Sequence, residues 1–117
     1  MKLIDQIKSA LEDLKIRDIS VYDLLGKSSL ADYIVISTAD SSVQIDSGRS
    51  KIEEVMWKHK IPLKNPSEEW GGGWLIMDYG DIIINIFLEE KRSFYNLDDL
   101  LRTHDYDSRE IKNVFNR

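Results

Sequence analysis

The stretch Trp74-Leu-Ile-Met-Asp-Tyr-Gly-Asp-Ile-Ile-Ile-Asn-Ile-Phe-Leu88 decides the fold of this chain. Its two apolar runs, 74–77 and 82–88, are rich in aromatic and β-branched side chains, which suit a pleated, largely buried surface. Between them lies Asp78-Tyr79-Gly80-Asp81, a turn in which Gly80 accepts a positive φ and either aspartate caps nearby amides. Most of these residues read as a core hairpin. Trp74, Asp78, Tyr79 and Asp81 stand apart, because a turn needs no aromatic at its centre and a strand needs no tryptophan after three glycines. Exposed aromatics beside carboxylates are the composition of a protein-binding surface.

Working outward, residues 2–15 place Leu3, Ile4, Ile7, Ala10, Leu11 and Leu14 on one helical face. Residues 19–23 alternate as a half-buried strand, and Leu30–Thr38 forms a second, more deeply buried one. Ser41 and Ser42 are N-cap residue types, so a long helix is expected from there to about Lys60, with Ile45, Gly48, Ile52, Val55 and Met56 facing inward. Gly48 in that face is explained by close packing on the sheet. Trp57 reads equally as a rim residue or as part of a contact surface. Ile61-Pro62-Leu63 is expected to add a short edge strand, residues 65–73 a loop, and Asn96 an N-cap for a helix carrying Leu97, Leu100 and Leu101. Asp98 and Asp99 suit the positive end of that helix. These elements form one domain over 1–102. Residues 103–117 are a tail in which Ile111, Val114 and Phe115 carry a marginal amphipathic helix.

The totals narrow the function. A chain of 117 residues with 42% hydrophobic and 32% charged residues can build one core. It has no cysteine, hence no disulfide or thiolate site. No apolar run approaches the roughly 20 residues a membrane span requires, and the acids within the first helical pattern are unlike a signal peptide; a cytoplasmic protein is expected. The net charge is −5, from 21 acids and 16 bases, with no basic block to neutralise phosphates. Direct nucleic-acid binding is therefore expected to be slight, whereas docking on a basic protein is open to it.

No catalytic constellation emerges. Gly26-Lys27-Ser28 resembles the end of a phosphate loop, but the required earlier glycine is Val21. His59 and His104 lack metal-ligand spacing, and no serine has an evident base. Asp78 and Asp81 alone suit a Mg²⁺-phosphate site, with only Lys91 and Arg92 near enough in sequence to face a phosphate. No cofactor and no metal are expected.

With these residues in view, the chain resembles the ribosomal silencing factor family, also called iojap-like proteins. The resemblance runs from Leu3 to Leu101 and is carried by Ser29–Thr38, Gly73–Phe87 and Arg92–Leu97. It implies an α/β (α+β) fold, a mixed sheet of about five strands flanked by helices, similar to nucleotidyltransferase domains without their catalytic residues. It also implies a translational repressor that binds a basic large-subunit ribosomal protein on the inter-subunit face and sterically blocks subunit joining when nutrients are short. By matching position, Trp74, Asp78, Tyr79 and Asp81 belong to one family segment and Arg92 and Tyr95 to another. The carboxylates would pair with basic residues of the partner and the aromatics would anchor it. Two departures stand out: Thr38-Ala-Asp-Ser-Ser-Val43 lacks the glycine and arginine frequent in the family, and Asn85 stands where many members carry histidine. The alternatives are a Mg-nucleotide enzyme using Asp78 and Asp81, and a homodimeric scaffold.

Overall fold

A computed structural model describes residues 2–70 and 72–102. The expected hairpin is its centre. Strand β4 (Trp74–Asp78) pairs antiparallel with β5 (Ile82–Leu88), Trp74 opposite Phe87 and Asp78 opposite Ile83. At the turn Gly80 takes φ +90°, and its N–H donates to Asp78 Oδ1 at 2.8 Å. A methyl at Gly80 meets no neighbour, so the penalty of substitution is conformational. Gly80→Ala is expected to cost about 1–2 kcal/mol, read as a lower urea midpoint at unchanged m-value.

The remaining strands complete a mixed five-stranded sheet in the order β1-β2-β5-β4-β3. Strand β2 (Tyr33–Ala39) runs parallel to β5, and β1 (Arg17–Asp23) is antiparallel to β2 with a bulge between Arg17 and Ser20. Helix α1 (Lys2–Asp13) connects into β1, and α2 (Ser42–Lys58) follows β2, capped by Ser41, whose side chain accepts from the Gln44 N–H. The short helices α3 (Glu89–Tyr95) and α4 (Leu97–Arg102) follow β5. Among the described residues, no helix is long and apolar enough to cross a membrane.

Alternation sorts the strands between two cores. Leu75, Met77 and Tyr79 join Val35, Ile84 and Ile86 under α1 and α2. Trp74 and Ile76 join Ile34, Ile36, Ile83 and Phe87 under Leu24, Leu97 and Leu101. The central strands are covered on both faces, which explains their unbroken apolar runs. Gly48 is needed for close approach: a methyl there would lie 2.7 Å from Ile86 Cδ1 and 2.9 Å from Ile16 Cδ1.

Two local expectations are corrected. The edge strand is not 61–63 but β3 (Glu68–Trp70), within the expected loop, pairing Glu69 with Leu75. Its register on β4 supplies the regularity that its own composition does not show. Residues 89–95 are helical. Asn96 ends that helix in the left-handed conformation (φ 49°, ψ 44°), its N–H donating to Arg92 O, and is not an N-cap. The helix expected in the tail lies outside the described residues.

Candidate functional site

The six residues singled out from the sequence do not share one surface. Trp74 is completely buried, contrary to the expectation of an exposed anchor. Its ring stacks on Phe87 (centroids 4.8 Å) and packs on Tyr95 (4.5 Å), and its indole N–H donates to Asn85 Oδ1 at 2.8 Å. The Asn85 amide in turn donates to Val35 O, and Ser37 Oγ donates to Asn85 O. Asn85 is thus a polar pin inside the sheet. Tyr95 is half-buried as the outer layer of this stack.

Arg92 is likewise engaged inside the molecule. Its Nε and Nη2 bind the two oxygens of Asp98 at 2.9 and 3.0 Å, a bidentate pair. Its other donors reach Thr38 Oγ1, Ser20 Oγ and the carbonyl of Asp18. Asp18 sits in the β1 bulge with φ +52°, so Arg92 ties that bulge to α3 and α4. Tyr22 donates its hydroxyl to Asp98 at 2.6 Å. Burial opposes the Asp98 charge, but Arg92 and Tyr22 outweigh it and hold the carboxyl below its ordinary pKa. Burial and the neighbouring carboxylate push the Tyr22 phenol up. Asp98 therefore serves as the counter-ion of Arg92 rather than as an exposed partner of the helix dipole.

Asp78 and Asp81 lie at the other end of the sheet, four residues or roughly 13 Å of strand from Trp74. Asp78 Oδ1 holds the turn at Gly80 while Oδ2 accepts from Asn65 Nδ2 at 3.1 Å. The Asp81 side chain is exposed, while its carbonyl accepts from the amides of Asp32 and Tyr33. Tyr79 is not exposed either: 8% of its surface reaches solvent, and burial together with the Glu53 charge pushes its phenol up to about 12.

The strand register gathers acids at this end. Asp23 closes β1 opposite Tyr33, Asp32 precedes β2, and Asp78 and Asp81 flank the hairpin turn. Glu53 of α2 joins them beside Tyr79. The Lys64 N–H donates to Asp78 O, the Lys27 N–H to Leu24 O, and Lys60 lies beside Trp57, so lysines at this edge are fewer than the carboxylates. An aromatic is present, but it is Trp57 of α2, 81% exposed. The spacing of the inner face points to it: Ile52 and Met56 are buried at an interval of four, and the next residue turns outward.

In comparisons with known proteins, the family model described as "Ribosomal silencing factor during starvation" matches residues 1–116. The chain belongs to the ribosomal silencing factor family. It is 34% identical over 96 residues to ribosomal silencing factor RsfS of Zymomonas mobilis, covering 82% of this chain and 72% of that protein. With ribosomal silencing factor RsfS of Bacillus subtilis it shares 29% identity, over 79% of this chain and 78% of the relative. It also resembles the chloroplastic protein Iojap of Zea mays, at 29% identity over 80% of this chain and 40% of that protein. A crystal structure of a Chromobacterium violaceum protein superposes with a TM-score of 0.78 at 22% identity, covering 92% of this chain and 95% of the other, which shows a shared fold.

Proposed function

We propose that this protein represses translation by binding the large ribosomal subunit through a basic ribosomal protein on the inter-subunit face, thereby sterically blocking attachment of the small subunit. The family match over nearly the whole chain carries this reading. The acidic edge around Asp78 and Asp81 supports it, since carboxylates clustered on a chain of net charge −5 complement a basic protein and repel bare phosphate. The protein acts without catalysis or cofactor and in the cytoplasm. Both Asp78 oxygens already accept hydrogen bonds, from the Gly80 N–H and from Asn65, so a Mg²⁺ ion there would share its first ligand with the turn.

Co-sedimentation with purified large subunits tests the reading. The parent is expected to bind, less tightly as salt rises, and to prevent added small subunits from joining. Asp81→Lys reverses an exposed charge without touching a described side-chain hydrogen bond, and is expected to bind about fivefold more weakly at low salt. A parent chain that does not sediment with large subunits would exclude the proposed function. Equal binding by parent and Asp81→Lys would keep the partner and remove Asp81 from the contact.

A further inference from the structure

We propose that Trp57 and the groove beside it are the apolar seat of the partner-binding surface, receiving an aliphatic side chain from a basic protein segment that lies along the acidic edge. This deepens the silencing reading and rests on it. Trp57 is 81% exposed, beyond Phe94, Val43 and Leu25, the other large apolar side chains described as exposed. A tryptophan offers an unusually large contact area, and such residues dominate binding energy when a partner covers them.

Here the side chain borders a built groove. With Lys58, Lys60, Ile61 and Pro62 it lines a cavity of about 620 Å³. A second cavity of about 450 Å³ shares Trp57, Ile61 and Pro62 and continues past Leu63 to Tyr79 and Glu53. The apolar seat is therefore continuous with the hairpin turn that carries Asp78 and Asp81.

Its walls are tied to the helix end by backbone hydrogen bonds. The Ile61 N–H donates to Met56 O at 3.0 Å and the Lys60 N–H to Trp57 O at 2.9 Å, with Lys60 at φ +58°. This is the paired bond pattern that closes a helix through a left-handed residue. It sets Ile61 and Pro62 against the last turn of α2 before any partner arrives, so little conformational freedom remains to be lost on binding.

Charge selects the occupant. Lys58 is paired with Glu54 at 3.2 Å and Lys60 adds a positive charge to the groove, whereas Glu53 and Glu54 line its continuation toward Tyr79 and Asp81 is exposed beyond it. A nucleic acid or an anionic membrane lying along this edge would meet Glu53, Glu54, Asp78 and Asp81, more carboxylates than lysines. A second copy packed through the same patch would set this edge against itself. A Lys- or Arg-bearing segment with a neighbouring aliphatic side chain satisfies both the groove and its rim.

The test uses the full chain and purified large ribosomal subunits, comparing parent, Trp57→Ala, Trp57→Phe and Asp81→Lys. Trp57→Ala is expected to bind about tenfold more weakly or worse, with an unchanged thermal midpoint because the side chain is exposed. Trp57→Phe should recover part of the loss. Burial of the indole should also shift the parent's tryptophan emission to the blue on binding, a change missing from Trp57→Phe. Parent-like binding by Trp57→Ala, with no emission shift in the parent, overturns the groove but leaves the silencing function standing. Failure of the parent itself to bind overturns both. A change of oligomeric state on Trp57→Ala would assign the groove to a second copy and overturn the proposal.

Discussion

Trp74→Ala is expected to destabilise the fold by about 3–5 kcal/mol, the range for truncating a fully buried aromatic. Two losses combine. The space between Phe87 and Tyr95 empties, because the ring lies 4.8 and 4.5 Å from theirs. Asn85 Oδ1 also loses its indole donor deep in the sheet, an orphaned acceptor worth about 1–3 kcal/mol. Trp74→Phe separates the two terms, since it keeps most of the stack and removes only the N–H. Urea unfolding should place it between parent and Trp74→Ala, with parallel slopes. A parent-like midpoint for Trp74→Ala would disprove the central position of this ring. Weakened ribosome binding by Trp74→Ala would then report loss of fold, and would not identify Trp74 as a contact.

Asp98→Ala is expected to cost a similar amount, about 3–5 kcal/mol, because it strands the Arg92 guanidinium in a largely enclosed site. The side chains of the pair are 15% and 8% exposed, and the pair joins β1, β2, α3 and α4 through Ser20, Thr38 and Tyr22. Replacing both partners together by apolar residues should cost much less than removing either one, because no charge is then left unpaired.

The same pair sets a pH dependence. The folded-state pKa of Asp98 lies below its ordinary value, so the unfolded chain takes up this proton first as pH falls. The stabilisation is fully present above the unfolded carboxyl value of about 4 and is lost as pH falls through the lower folded value. Urea midpoints should therefore decline below about pH 4 in the parent. Asp98→Asn should show a shallower decline, having no proton to take up. Identical acid limbs would rule Asp98 out as a source of the acid sensitivity.

How much of the site was legible follows from which interactions are local. Ser41 capping Gln44, the 3.6-residue period of α1 and Gly80 in its turn each depend on a few neighbouring residues, and each was readable. So was Gly48, whose cost within a helix signalled a close approach. Asn96 was misread because a short polar residue suits both a helix start and a left-handed helix end. The structure takes the second, with the Asn96 N–H on the Arg92 carbonyl. The strand β3 was missed because Glu68-Glu69-Trp70 acquires its regularity from pairing with β4.

The sequence by itself determined the central hairpin, the strands β1 and β2, the helices α1, α2 and α4, the acidic balance and the family resemblance, since these depend on composition, spacing and order along the chain. Only the tertiary structure decided which aromatic faces solvent. Trp74 and Trp57 are equally apolar in sequence, but one meets Phe87 and Tyr95 from elements 13 and 21 residues onward, while the other extends beyond the contact of α2 with the sheet. Arg92 and Asp98 were diverted in the same way. A charge that reads as surface becomes an internal clamp when folding brings the carbonyl of Asp18 and the hydroxyls of Ser20 and Thr38 within its reach. Exposure belongs to the assembled layers, and no local pattern encodes it.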